Sequence, residues 1–398
     1  MHIRPILSTL RRHKTAAALI VVEIALSCAI ICNALFLIGN RLERMDRPSG
    51  FAEDEIVRVQ ITGIGRDDNP LALTRTDLAS LREIPGVKSA TVMNQVPFVS
   101  SSSNSGVKLS NDQTLSTLNA TTYLGDAQAF DTMGLQLVEG RRFTADEFRD
   151  FERNTRNTRS VSTAIISRSM AQRLFPGQSA VGKLFYSWGD TPTKIVGVVE
   201  HFIRPSEHNG PAAYEYSVLY PLNVPYTEGG NYLLRTDPAR RVEVLKAAVA
   251  ALERNNPNRI VLEQDTMQEM RARYYRQDRS MAWLLSAACI ALLVVTALGI
   301  VGLASFWVQQ RTKQIGIRRA LGATRGQVLR YFQTENFLLA TIGIVIGMLL
   351  AYSTNLWLMQ QYELPRLPLG YLPVGALALW LLGQVAVLGP ARRAAAVP

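Results

Sequence analysis

The chain has 398 residues, of which 47% are apolar and 19% charged, and its 43 Lys and Arg against 32 Asp and Glu leave a net charge of +11. That length predicts two or three folding units, and a disulfide framework is excluded because all three cysteines, Cys28, Cys32 and Cys289, fall inside long apolar runs. Much of the basic excess flanks those same runs, so attraction to anionic membrane lipid accounts for it and nucleic-acid binding is not expected.

Residues 1–14 form a basic tail carrying Arg4, Arg11, Arg12 and Lys14. The run that follows, TAAALIVVEIALSCAIICNALFL, exceeds the roughly 20 residues a helix needs to cross a bilayer. It is too long for the apolar segment of a cleavable signal and no A-x-A site follows it, so it reads as an uncleaved first transmembrane helix over 15–39. Glu23 lies within it, about 13 Å along the helix from Lys14. An ionisable residue inside a span marks a functional position by default. The alternative is a carboxylate paired with Asn33 or with a partner chain, or one simply held protonated by burial in lipid.

Residues 40–280 alternate strand-like and helical runs, which predicts a large mixed α+β domain. EIVRVQITGI, VKSATVMNQVPF, TKIVGVVEHF and YSVLYPL read as strands, TRTDLASLREIPG as a capped helix, and DPARRVEVLKAAVAALERNNPN as an amphipathic helix. The Ser- and Asn-rich stretch 100–116 reads as a loop or insertion, and the Arg-rich stretch 149–159 as a solvated excursion. His201 and His208, near Glu200 and Glu207, lack a third-ligand pattern and read as surface-loop residues rather than a metal site. Neither G-x-S-x-G nor H-E-x-x-H occurs, so no catalytic residue is assigned. From Thr266 onward, TMQEMRARYYRQDRSMAW predicts an unbroken stalk helix leading into the second span.

Within this domain GQSAVGKL, residues 177–184, differs by one residue from the phosphate-binding pattern G-x-x-x-x-G-K-[ST]. That pattern needs a hydroxyl on magnesium after the lysine, a strand before the loop and a helix after it. Here Leu184 takes the hydroxyl's place, AIISRSMAQRLFPG precedes as a helix and LFYSW follows as a strand. A nucleotide site is therefore rejected.

Three further spans follow, at 281–308, 337–358 and 373–389, separated by a basic loop at 309–336 and a short turn at 359–372 with Arg366 as its one basic residue, and followed by a tail at 390–398. The tail, the 309–336 loop and the C-terminal Arg392 and Arg393 share one side, which the positive-inside rule assigns to the cytoplasm. Within the loop, Ile315, Ile317, Ala320 and Leu321 are expected to form one apolar stripe beside Arg318 and Arg319; an exposed apolar stripe amid charge argues for a partner, the alternative being that the basic residues only fix the topology. The fold class is therefore an α-helical membrane protein with four transmembrane helices and a large α+β extracytoplasmic domain inserted between the first and second.

The block Gln310-Arg311 with Gln314-Ile-Gly-Ile-Arg-Arg-Ala-Leu-Gly-Ala323, the tail Pro390-Ala-Arg-Arg-Ala-Ala395, and the external segments GLQLVEGRRFTADE, AIISRSMAQRLFPGQSAVGK and KIVGVVEHF carry a family resemblance. The chain resembles the FtsX-like, MacB-type permeases of ABC transporters over nearly its whole length. The resemblance implies a bacterial inner-membrane permease with both termini cytoplasmic and a periplasmic domain. It would work with a cytoplasmic ABC ATPase that binds ATP and Mg on a separate subunit, a second permease copy in a homo- or heterodimer, and an adaptor with an outer-membrane channel. The coupling residues it implies are Arg311, Gln314, Ile315, Gly316, Ile317, Arg318, Arg319, Ala320, Leu321, Gly322 and Ala323, with Pro390, Arg392 and Arg393 as the C-terminal motif. Gln310 and Gln314 stand where the family pattern has acids, which replaces a charged contact by a weaker amide one. The implied mechanism is mechanotransmission: ATP-driven motion reshapes the external domain to drive export. The alternative is an FtsX-like signalling subunit acting on a cell-wall hydrolase.

Overall fold

The computed structural model describes residues 14–65, 69–151, 161–188, 190–207, 213–362 and 367–396. Arg4, Arg11, Arg12, most of the Arg-rich stretch, His208 and Arg366 lie outside them, as do the side chains of Gln314, Arg318 and Arg319. The chain divides into two compact units: Arg47–Arg276, and the segments before and after it.

The second of these is helical. It comprises α1 (Lys14–Asp46), α7 (Arg276–Gln310), α8 (Thr312–Ala320), α9 (Arg325–Tyr362) and α10 (Tyr371–Ala396), the elements α2 to α6 belonging to the other unit. The four long helices are each long and apolar enough to cross a membrane. Small residues let α1 and α9 approach closely, as membrane helices do in the absence of a hydrophobic driving force between them. A Cβ on Gly347 would stand 2.6 Å from the Ala25 carbonyl oxygen, and one on Gly343 would stand 2.9 Å from Ile24 Cβ. Ser27 and Thr296 share a buried hydroxyl hydrogen bond of 2.8 Å. Asn33 Nδ2 donates to the Ala29 and Ala351 carbonyls at 3.0 and 3.2 Å. Arg41 and Asp278 form an ion pair joining α1 to α7. Gly389-Pro390 does not end the last helix as expected, since α10 runs through Pro390 to Ala396.

The other unit is built on β1 (Ile56–Gly63), β2 (Val87–Met93), β3 (Asn104–Val107), β4 (Leu118–Gly125), β5 (Leu137–Gly140), β6 (Arg149–Asp150), β7 (Thr163–Ser167), β8 (Leu184–Phe185), β9 (Thr193–Val199), β10 (Ser217–Asn223), β11 (Asn231–Thr236) and β12 (Arg259–Thr266). Their sheet order is β12-β1-β11-β2-β4-β10-β7-β9-β5, with β3, β6 and β8 attached to β4, β10 and β9. Pairs β4/β10 and β7/β9 run parallel, so the fold is mixed α+β. Helices α2 (Pro70–Arg82) and α5 (Arg241–Asn255) pack together beside β1 and β2; α3 (Ala129–Met133) and α4 (Arg168–Leu174) are short, and α6 (Met267–Tyr274) follows β12. Val57, Leu81, Ile166, Tyr220 and Leu234 lie in one buried core.

Three local expectations are corrected. The Ser-rich stretch contains β3, which pairs with β4 from Asn104 opposite Thr121 to Val107 opposite Leu118. AIIS is the buried strand β7 rather than the start of a helix, and Ser167 caps α4 by accepting from the Met170 N–H. The stalk helix is not continuous: α6 ends at Tyr274, Tyr275 caps it outside the helix, and α7 starts at Arg276. Phe98 has a φ of 63° and packs on both Tyr274 and Tyr275 at 6.1 Å.

Candidate functional site

The nucleotide-like segment is resolved by its neighbours. GQSAVGK follows helix α4 and precedes strand β8, the reverse of the order a phosphate loop needs. Two of its backbone donors are already used, Gly182 N–H on the Ile195 carbonyl and Lys183 N–H on the Ala180 carbonyl, while Lys183 Nζ donates to Gln178 Oε1 at 3.0 Å. The described groups near His201 are likewise engaged with other side chains. His201 Nδ1 pairs with Glu215 Oε1 at 2.7 Å, Glu200 with Arg168 at 2.6 Å, and Glu207 accepts from Tyr275 at 2.8 Å. Among the described residues no cluster of three His, Cys, Asp or Glu stands ready for a metal.

The 309–336 segment forms a helical hairpin. Arg311 interrupts the helix by a single residue, but its carbonyl still accepts from the Ile315 N–H at 2.9 Å, so α8 prolongs α7. The hairpin turns at Leu321-Gly322, where Gly322 has a φ of 95°, a left-handed value at which glycine escapes the penalty of a side chain. Thr324 then caps α9: its Oγ1 accepts from the Gln327 N–H at 3.3 Å, and Gln327 Oε1 accepts from the Thr324 N–H at 3.0 Å. At 38 residues α9 is about 57 Å long, nearly twice the roughly 30 Å of a bilayer core.

The expected apolar stripe divides. Ile315 is 6% exposed and joins Val328 and Phe332 in the core of the helical unit, whereas Ile317 is 63% and Leu321 83% exposed, with Ala320 also exposed. Gly316 and Ala323 are half-buried. Residues 317 and 321 stand one helical turn apart, on the same side of α8. The reason for the division is helical periodicity, since positions two apart point to nearly opposite sides.

Arg311 is turned inward. It is buried, and its Nη1 donates to Glu335 Oε2 and Oε1 at 2.9 and 3.1 Å while the guanidinium lies 5.6 Å from the Trp307 ring centroid. Glu335 was not singled out in the sequence. The signal available was one acid in the apolar run of YFQTENFLLA, whose partner becomes visible only once the hairpin register is known. Pro390 is buried, and Arg392 and Arg393 are exposed. Glu23 does not pair with Asn33. Its carboxylate lies against Gly299 of α7, where an added Cβ would stand 2.6 Å from Oε2.

Four long apolar helices, a mixed α+β domain inserted after the first and a basic hairpin between the second and third define a multi-pass membrane protein with a large inserted domain. Residues 18–252 match the MacB-like periplasmic core domain family, and residues 286–398 match the FtsX-like permease C-terminal family. The chain belongs to this MacB/FtsX-type family of ABC transporter permeases. It is similar to the macrolide export ATP-binding/permease protein MacB of Mannheimia succiniciproducens, at 24% identity over 86% of this chain and 51% of that protein. It is also similar to the uncharacterized ABC transporter permease YknZ of Bacillus subtilis, at 26% identity over 70% of this chain and 66% of that protein. The chain thus spans between about half and two thirds of these relatives. Of solved structures, the extracellular domain of YknZ overlaps 52% of the chain at 18% identity and TM-score 0.33. The periplasmic region of MacB from Actinobacillus actinomycetemcomitans overlaps 56% at 14% identity and the same TM-score.

Proposed function

We propose that this chain is the mechanical subunit of an ABC exporter: a cytoplasmic ATPase docks on the hairpin α8–α9, and its ATP-driven motion passes through α7 to the periplasmic-type domain. The observation that carries this reading is the exposure of Ile317 and Leu321, side by side at the turn of a hairpin whose first helix prolongs a membrane span. Apolar side chains this exposed beside basic residues fit a partner surface with an apolar socket and acidic rim. Arg392 and Arg393 add to the basic character of the same proposed cytoplasmic side. Two copies of the permease, each with one ATPase, and an adaptor on the periplasmic side complete the proposed assembly. One relative bears ATP-binding and permease functions together in its name, which supports pairing this permease with an ATP-binding partner.

The test is co-purification. The chain is tagged, extracted in detergent and assayed for ATPase activity, beside Ile317→Glu and Leu321→Glu variants. Both positions are exposed, so the substitutions should leave stability within about 0.5 kcal/mol. We expect an ATPase to accompany the wild type and to be lost from both variants; retention by both removes the docking surface from this hairpin.

A further inference from the structure

At the base of the hairpin Trp307 Nε1, Arg311 Nη2 and Asn336 Nδ2 are buried donors with no acceptor among the described residues. All three residues are more than nine-tenths buried, at 5%, 6% and 6% exposure. A cavity of about 20 Å³ adjoins two of them, Trp307 and Asn336, which line it with Glu335 among the apolar Ile20, Ile300 and Val387, so that α1, α7, α9 and α10 all meet there. Buried donors that lack an acceptor are costly, and a native interior normally supplies one. A cavity of this volume holds one water molecule where it offers two to four polar partners, which Trp307, Glu335 and Asn336 supply in an otherwise apolar wall.

We infer that this cavity is a single-water site whose water bridges Trp307, Asn336 and Glu335, the partner of Arg311, and that the pair so hydrated on its Glu335 side pins the base of the hairpin α8–α9. The geometry follows from each group's chemistry. Arg311 spends one nitrogen on both carboxylate oxygens of Glu335 and keeps the other for a further acceptor. Water supplies two lone pairs, one each to Trp307 Nε1 and Asn336 Nδ2, and returns a proton to the Glu335 carboxylate. A buried ion pair holds its geometry firmly only when its remaining donors and lone pairs are satisfied. Arg311 is then a positioning residue. Its charge is consumed inside the bundle, and the surface offered to a partner, centred on Ile317 and Leu321, is built without it.

The consequence for coupling rests on the proposed function, but the pin itself is tested on the full-length purified chain without an ATPase. The first measurement is the sign of a melting shift. Trp307→Phe deletes one donor and Asn336→Leu fills the site at similar volume. In a hydrated site both lower Tm by several degrees, and in a dry site both raise it by relieving an unsatisfied donor. A rise in both variants overturns the water site. The second measurement is hydrogen exchange. Glu335→Gln and Arg311→Lys, the milder pair, together with Arg311→Met, should speed exchange across 312–334 by at least about tenfold while leaving 47–276 unchanged. Unchanged exchange in folded Glu335→Gln and Arg311→Lys overturns the pin. Ile317→Glu serves as the separating control: it should keep wild-type protection, so loss of a partner with that variant bears on docking and not on the pinned base.

Discussion

Asp77 has no solvent exposure, yet it carries four polar contacts. Arg259 binds it through both nitrogens at 2.5 and 2.9 Å, Tyr232 donates its hydroxyl at 2.6 Å and Asn255 its amide at 3.0 Å. Burial first, and then the neighbouring negative Asp77, push the Tyr232 phenol well above its usual range, so it stays a donor at any physiological pH. The network joins α2, β11, α5 and β12, and it is fully satisfied, the condition under which a buried charge is tolerable. Arg259→Ala leaves Asp77 buried and uncompensated, and should cost about 3–5 kcal/mol of stability. Thermal unfolding of the full chain checks this; a loss below about 1 kcal/mol would show that water enters freely at Asp77. A second residue-scale effect depends on pH. Arg141, by donating two hydrogen bonds, and then the Thr144 cap hold the Glu147 carboxyl down to about 2. A lowered carboxylate contributes stability above its unfolded value near 4.3, and that contribution fades as pH falls from there toward 2. Glu147→Gln should therefore narrow its Tm deficit between pH 6 and pH 3, and a deficit independent of pH would contradict the assignment.

At the scale of elements, what the sequence shows depends on how local the cause is. The four spans are legible because twenty apolar residues in succession specify a membrane helix by composition alone. β1, β9 and β10 are likewise legible from their β-rich runs between turn residues, and Ala251 and Leu252 of α5 from helical spacing. The errors share a different cause. AIIS reads as helix because it abuts a helical run, yet it is a central strand buried on both faces, and such strands lack alternation. β3 is hidden in a Ser-rich stretch because its pairing with β4 is a tertiary choice. Pro390 fails to stop α10 because packing inside the bundle, where Ala391 and Ala394 are buried, overrides a local breaker. The close approach of α1 to α9 yields an element-scale prediction. Gly347→Leu drives a side chain into Ala25 and Cys28 and should cost about 1–3 kcal/mol or prevent the bundle from assembling. Gly302→Ala meets nothing within 4 Å and should be tolerated. Detergent-solubilised melting curves distinguish them, and equal behaviour of the two variants would rule out tight α1–α9 packing.

The whole molecule poses a question of sides. Its proposed cytoplasmic face gathers Lys14, Lys313, Arg318, Arg319, Arg325, Arg330, Arg392 and Arg393, whereas Arg311, the first basic residue of that loop, is neutralised by Glu335 and adds nothing to the outward field. The candidate site was half legible for the same reason. Composition marks the loop as basic and apolar, but which residues face outward follows from the hairpin register, and the partner of Arg311 lies 24 positions away on another helix. Orientation can be measured because the native cysteines do not interfere: Cys28, Cys32 and Cys289 are buried in the helical unit. Two exposed positions serve as reporters, Leu321 at 83% on the hairpin and Leu115 at 82% on the α+β domain. With a membrane-impermeant maleimide, Leu115→Cys should label in intact spheroplasts and Leu321→Cys only after the inner membrane is opened, since positive loops are retained inside. Labelling in the opposite order would place the hairpin away from ATP. It would end the docking proposal while leaving the pinned base of the hairpin intact, because that depends on packing within the bundle and not on which side of the membrane it faces.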